Sequence, residues 1–412
     1  MSETVSRTPT DGSTLDLRRP EIDWLRAIAV LLIVPFHAAM IFAFGYYLHS
    51  GDNYKPLHYF LTPFFPWHMP ILFVLSGMAT WFALRRRSAG RYAWERSKRL
   101  LVPLLFGTFV LIPPQVYWQR LSEGKFEGSY LAFYPHFFDG TWPQGNFTYA
   151  HLWFIAYLLV YSLVALPVFV FLKREGGRRL IARLAGLCRH RGGIFLLAIP
   201  MALSESLLRP RFEWNFVIFN DWAMFTWYLL LFILGYVLCS DDRFWRAIER
   251  DGRIALVLAL ITMSLWFSRC VMELWVPHDY SAAWTLDAVF CAFRTWFCVV
   301  AILWAGAKLL RFSNRLLPYV REASYPFYVL HQTVMMGIGY SLVYWDLHVL
   351  VRFALLVLAT VIGTTLAYDL LVRRFRVMRF LFGLRSRPRP GDPQEAGPRV
   401  VVLEHSASTS AH

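Results

Sequence analysis

Apolar residues along this chain come in ten stretches near helix length, at about 23–45, 63–84, 100–118, 151–172, 193–208, 216–238, 254–276, 284–306, 324–345 and 350–372. At 1.5 Å of rise per residue, about 20 residues cross a hydrocarbon layer about 30 Å thick. The pattern therefore predicts an all-α, polytopic membrane bundle of about ten transmembrane helices. The fifth stretch is the weakest, being short and containing Glu205. Residues 1–19 are polar and expected to be a disordered N-terminus, 20–380 form the membrane domain, and 381–412, Pro-rich from Pro388 to Pro398, form a disordered tail.

The polar segments between the stretches test this reading. Basic residues gather on the cytoplasmic side of a membrane protein. Residues 85–99 carry Arg85, Arg86, Arg87, Arg91, Arg96, Lys98 and Arg99. The 173–191, 240–253 and 308–321 segments are similarly basic, and the segments alternating with them are poor in Lys and Arg. The alternation places both termini in the cytoplasm of a cell whose inner membrane holds the chain. No cleavable signal peptide is expected, because the first apolar stretch is too long and carries polar residues.

Composition agrees. Of the 412 residues 57% are hydrophobic and 17% charged, against about a quarter charged in an ordinary soluble domain. The net charge of +15 would suggest nucleic acid in a soluble protein, but here the basic blocks are explained by topology and no nucleic-acid partner is expected. The basic start of the tail, at Arg373, Arg374, Arg376 and Arg379, suits anionic headgroups of the bilayer. Five cysteines without a Cys-x-x-Cys pair read as small apolar fillers, with no metal site implied.

Ionisable groups inside a bilayer are costly and usually functional. The first stretch holds Asp23, Arg26 and His37. Asp23 and Arg26, three apart, can pair on one helix face. Arg26 and His37 are eleven apart, which is three turns plus roughly 20°, so they share a face about 16 Å apart along the axis. An arginine near the inner headgroups can hold phosphate or carboxylate in its fork, and a neutral histidine deeper in can take a proton from a hydroxyl. The bland alternative is that His37 only bridges helices and Arg26 only snorkels.

Other positions remain open in the same way. His68 and His151, at the outer ends of their spans, could contact substrate or serve as interfacial residues; Trp153 fits an aromatic belt. Tyr328 and His331 share a face and could bind substrate or make a packed interhelical hydrogen bond. Ser76-Gly77 most simply permits close helix packing. Glu205, Glu213 and Asp221 could bind a polyhydroxylated acceptor, or pair with Arg209 and Arg211.

Taken together, these residues resemble the acyltransferase-3 family of integral membrane O-acyltransferases, and within it the glucan-modifying succinyltransferase-like branch. The likeness rests on Asp23-Trp24-Leu25-Arg26 with His37 after Pro35-Phe36, which matches the family's Arg-x10-His signature. It continues through His68-Met69-Pro70, Ser76-Gly77, Arg96 and Arg99 before Pro103, His151-Leu152-Trp153-Phe154, and Ser324-Tyr325-Pro326-Phe327-Tyr328 with His331. It implies transfer of an acetyl or succinyl-like group from acyl-coenzyme A to a hydroxyl of a glycan or other envelope molecule. Acyl-CoA is then a co-substrate, and no permanently bound cofactor is implied. His37 would be the essential catalytic residue and Arg26 its partner, with Asp23 beside them. Arg26, Arg96 and Arg99 would hold the CoA phosphates, and His68, His151, Trp153, Tyr328 and His331 would line the substrate site. His37 would act as general base, or relay the acyl group covalently. No fused esterase-like domain, which some members carry, is expected. The rival class is a transporter or exporter of glycan or lipid-linked material, which would need no coenzyme A.

Overall fold

The structure, a computed structural model, describes residues 19–48, 50–142, 144–212 and 220–385. Nearly all of the proposed disordered N-terminus and tail, Glu213 and the first residues of the sixth stretch lie outside these.

Every apolar stretch falls on helix. The first becomes α1 (Pro20–Phe44). Pro20 opens it, where a missing N–H costs nothing, and Glu21 and Asp23 complement the positive end of its dipole. Gly45, in the left-handed region at φ 63°, closes it with its N–H on the Ile41 carbonyl at 3.0 Å. A short α2 (Lys55–Leu61) leads to α3 (His68–Arg85). Next come α4 (Ala89–Phe106) and α5 (Ile112–Ser122), joined through one π-helical turn over Gly107–Leu111. That wide turn lets Leu152 pack close, because a Cβ on Gly107 would lie 2.3 Å from its Cδ1. After the four-residue α6 (Tyr130–Phe133), α7 (Trp153–Val164) and α8 (Leu166–Lys173) divide the fourth stretch. Pro167 starts the second piece, and the axis bends by 44°.

The basic segment after α8, between two apolar stretches, is largely helical: α9 (Glu175–Leu187) buries Ile181 and Ala185 and exposes Arg178, Arg179 and Arg183. One apolar and one basic face suit a helix lying at the membrane surface. The weak fifth stretch starts as 3-10 helix and continues as α10 (Ile199–Leu208), with Pro200 at its start. The rest are α11 (Trp222–Leu238), α12 (Asp242–Val271), α13 (Ala282–Leu309), α14 (Leu316–Leu342), α15 (Val349–Ala367) and α16 (Arg376–Leu381). Helices α12 and α14 start well before their apolar stretches, so the basic connections are shorter than the hydropathy pattern suggests. By length and apolar composition five helices, or six with the bent α7–α8 pair, can cross a membrane. No strand occurs among the described residues, only an isolated bridge between Thr141 and Phe147.

Two features place the site. Helices α3 and α11 cross in backbone contact: a Cβ on Gly77 would sit 1.9 Å from the Phe232 carbonyl, and one on Gly235 2.0 Å from that of Val74. Without a hydrophobic drive between helices in lipid, such small-residue contacts bring dispersion attraction to bear. Helix α1 packs lengthwise on α14, flanked by α15 and α2. The chain's first and second-last long helices thus form one seam.

Candidate active site

His37 lies on that seam. Its Nδ1 is 2.5 Å from Oε1 of Gln332 and 3.3 Å from Nε2 of His331, both on α14. His331 is fully buried, and its own Nδ1 is 2.6 Å from the Tyr328 carbonyl. The Tyr328 hydroxyl donates to the carbonyl of His151, and Nε2 of His151 donates to that of Val329 at 3.1 Å. The rings of His331 and His151 meet edge to face at 5.2 Å. On the other side of His37, Phe36 packs on His68, whose Nε2 donates to the Ala29 carbonyl of α1 at 2.7 Å. The structure therefore gathers His37, Tyr328, His331, His151 and His68 around one point. Tyr328, His331, His151 and His68 each spend polar atoms on holding neighbouring backbone. Among the described residues Nδ1 of His151 is buried without a partner, and Nε2 of His37 is neither partnered nor sealed off. Trp153 sits one step away, its ring 5.6 Å from that of Tyr228 and 6.1 Å from that of Phe73.

The local register of α14 is fixed by the π-turn. A widened turn leaves a carbonyl free for outside partners. The Leu111 carbonyl accepts from Oγ1 of Thr333 at 3.0 Å and from Nε2 of Gln115 at 3.1 Å, and Gln115 also donates to Thr333 at 2.7 Å. Gln332 is the neighbour of the residue so anchored.

Arg26 lies at the other end of the same α1 face. Its Nη1 is 3.4 Å from Asp23, the pairing that the three-residue spacing predicts, and Asp23 is also 3.8 Å from Arg321. Arg26 lies within reach of the charges of Arg96 and Arg321, and Arg99 within reach of those of Arg96, Arg26 and Arg385. Arg96 donates to Oγ of Ser162 at 3.2 Å, and the Tyr325 hydroxyl reaches the Arg99 carbonyl at 3.4 Å. These guanidinium groups thus lie near one another, with Asp23 beside Arg26 and Arg321, an arrangement suited to an anion. Helix α16 closes over this end: Arg379 binds Glu322 of α14 at 2.9 Å and Phe382 packs on Phe106 of α4.

Glu205 and Asp221 both pair with the fully buried Arg209, at 2.9 and 3.1 Å. Their placement is structural, as a buried charge requires.

Sequence pattern alone did not single out Gln332, Tyr47 or the part played by Arg321. Tyr47 follows the Gly45 cap, and its ring stands 5.6 Å from that of His37. Its φ of 73° is unusual for a side chain with a Cβ.

The fold is thus a helical membrane bundle in which one face of α1 carries an arginine cluster at one end and a histidine cluster at the other. The chain belongs to the acyltransferase-3 family, whose acyltransferase-domain model matches residues 19–369; it is a membrane acyltransferase. Among the proteins it is similar to are those called glucans biosynthesis protein C in Salmonella paratyphi A and in Escherichia coli (strain SMS-3-5 / SECEC). Each is 22% identical over 77% of this chain and 82% of its own length. No solved structure matches the chain.

Proposed function

We propose that this enzyme transfers an acetyl or succinyl-like group from acyl-coenzyme A to a hydroxyl of an envelope glycan, in the inner membrane. The reading rests above all on one observation: Arg26 and His37 occupy the same face of α1, and that face is turned to protein, with Arg96 and Arg321 near one end and Gln332 and His331 at the other. The alternation of basic and non-basic segments supports an arginine end at the cytosolic leaflet, where acyl-CoA is available. Arg26, Arg96, Arg99 and Arg321 hold its phosphates, and Asp23 orients Arg26. The pantetheine arm then follows α1 towards His37, a reach of about 16 Å. The relatives' name supplies the acceptor class, a glucan.

At His37, Nε2 takes the proton of the acceptor hydroxyl as the oxygen attacks the thioester carbonyl. A C–O bond forms, the C–S bond breaks, and the imidazolium returns the proton to the departing sulfur. The products are the acyl ester and free coenzyme A. His151 and Tyr328 complete the wall on which the acceptor is held, with His68 and Trp153 beyond them.

The test is purified protein in lipid with acetyl- or succinyl-CoA and a glucan. The expected result is thiol release matched by the mass gain of one acyl group on the glycan, abolished by His37→Ala with insertion intact. Glycan translocation without thiol release would make the chain an exporter, and full activity of His37→Ala would refute the assignment.

A further inference from the structure

We infer that His331 and Gln332 are positioning residues that fix the tautomer of His37, keeping the proton on Nδ1 and the lone pair on Nε2 at the reacting edge. The inference rests on the proposed role of His37 as general base.

The argument starts at a backbone oxygen. The Tyr328 carbonyl can only accept, so the His331 Nδ1 that faces it at 2.6 Å carries a proton. A neutral imidazole has one N–H, so Nε2 of His331 is a lone pair. That lone pair faces Nδ1 of His37 at 3.3 Å. Nδ1 of His37 must therefore be the donor, or two lone pairs would oppose each other in a buried site. It donates at once to Oε1 of Gln332 at 2.5 Å. The amide orientation is thereby fixed too, since the reverse would set N–H against N–H. Among the described residues Nε2 of Gln332 is buried without a partner, so no competing bond at that end of the amide dictates its orientation. With the amide oxygen facing the ring, the alternative tautomer, with the proton on Nε2 of His37, would leave three acceptor sites converging with no hydrogen among them.

The device resembles other catalytic histidines, whose far ring nitrogen is held by an acceptor so that the near one stays basic. Here the acceptors are a neutral amide and a neutral imidazole. They select a tautomer without placing a carboxylate beside the ring. Thr333, locked to the Leu111 carbonyl at 3.0 Å, keeps both acceptors from sliding along α14.

Steady-state thiol release in lipid nanodiscs, on variants that purify as monodisperse protein, tests this. Gln332→Met keeps approximate volume and removes the acceptor; kcat should fall about 10²-fold, the scale of general-base assistance, with KM for acyl-CoA within about twofold. Gln332→Glu restores an oxygen at that place and should recover most of the loss. His331→Gln, which can offer an acceptor where Nε2 was, should likewise exceed His331→Phe. A purely structural role would lower yield or stability without separating kcat from KM and without acceptor-dependent rescue. Nitrogen-15 NMR of labelled histidines in bilayers, with His37→Ala to assign the signal, needs no positional variant in the seam: His37 should show the Nδ1–H form. An Nε2–H signal, or Gln332→Met and His331→Phe at wild-type kcat while His37→Ala is inert, overturns this inference and leaves the role of His37 standing. An active His37→Ala overturns the role of His37 itself.

Discussion

Tyr47 holds its ring 5.6 Å from that of His37 from a left-handed backbone position. A non-glycine residue there costs about 1–3 kcal/mol, and such positions persist where the surroundings hold them in place. Tyr47 lies two residues past the Gly45 cap that ends α1, so the turn aims the ring back at the helix's own histidine. Tyr47→Phe should keep activity within a few fold, because the ring is retained. Tyr47→Gly relaxes the backbone and should leave thermal stability nearly unchanged while thiol release falls at least about tenfold, within the range of positioning effects. Equal activity in the two variants would remove the ring from the site.

The role proposed for the arginine cluster predicts that binding and chemistry can be separated by mutation. Arg99→Ala should raise KM for acyl-CoA about tenfold, the worth of one charge-assisted contact to phosphate, and leave kcat nearly unchanged. Titrating salt should weaken binding less in the variant than in the parent, since one screened contact has gone. Unaltered KM would move the carrier's phosphates elsewhere.

Gly77→Leu forces a side chain into a carbonyl 1.9 Å from where its Cβ must lie. Overpacking of this kind costs about 1–3 kcal/mol, and the α3–α11 crossing has no flexible side chain at that point to yield. A lower unfolding temperature in detergent is expected for Gly77→Leu and for Gly235→Leu; an unchanged one would mean the helices do not touch.

Arg209→Met strips the counter-charge from two carboxylates, Glu205 and Asp221, in a fully buried place. Breaking a buried ionic group on one side costs about 3–5 kcal/mol. The variant should express poorly or melt early, and adding Glu205→Gln and Asp221→Asn should recover much of the loss. Full stability of Arg209→Met alone would deny the network its structural role.

The bundle and half of the site were legible in the sequence for physical reasons. Lipid imposes long apolar runs, so the described parts of the stretches lie largely on helix, and helical periodicity alone puts Arg26 and His37 on one face. The Asp23–Arg26 pair and the close packing at Gly77 followed from spacing and residue size. What periodicity cannot carry is contact between distant segments: His37 and Gln332 are 295 positions apart, and a glutamine beside a histidine in an apolar run has no local signature. Tyr47 was invisible because its role depends on a dihedral angle. The helix α9 was hidden by its own arginines, whose basic character marks a cytoplasmic connection whether or not the backbone coils.

The seam between α1 and α14 has a consequence for biogenesis. Arg26 and His37 enter the membrane with the first span, but Arg321, Tyr328, His331 and Gln332 emerge some three hundred residues later. On the role proposed for His37, a nascent chain should be silent until its penultimate long helix has inserted, and α1 must wait in the lipid with its polar stripe unmatched. Fragments cut between α13 and α14 should insert without acquiring activity, and co-expressing the missing C-terminal piece should restore it.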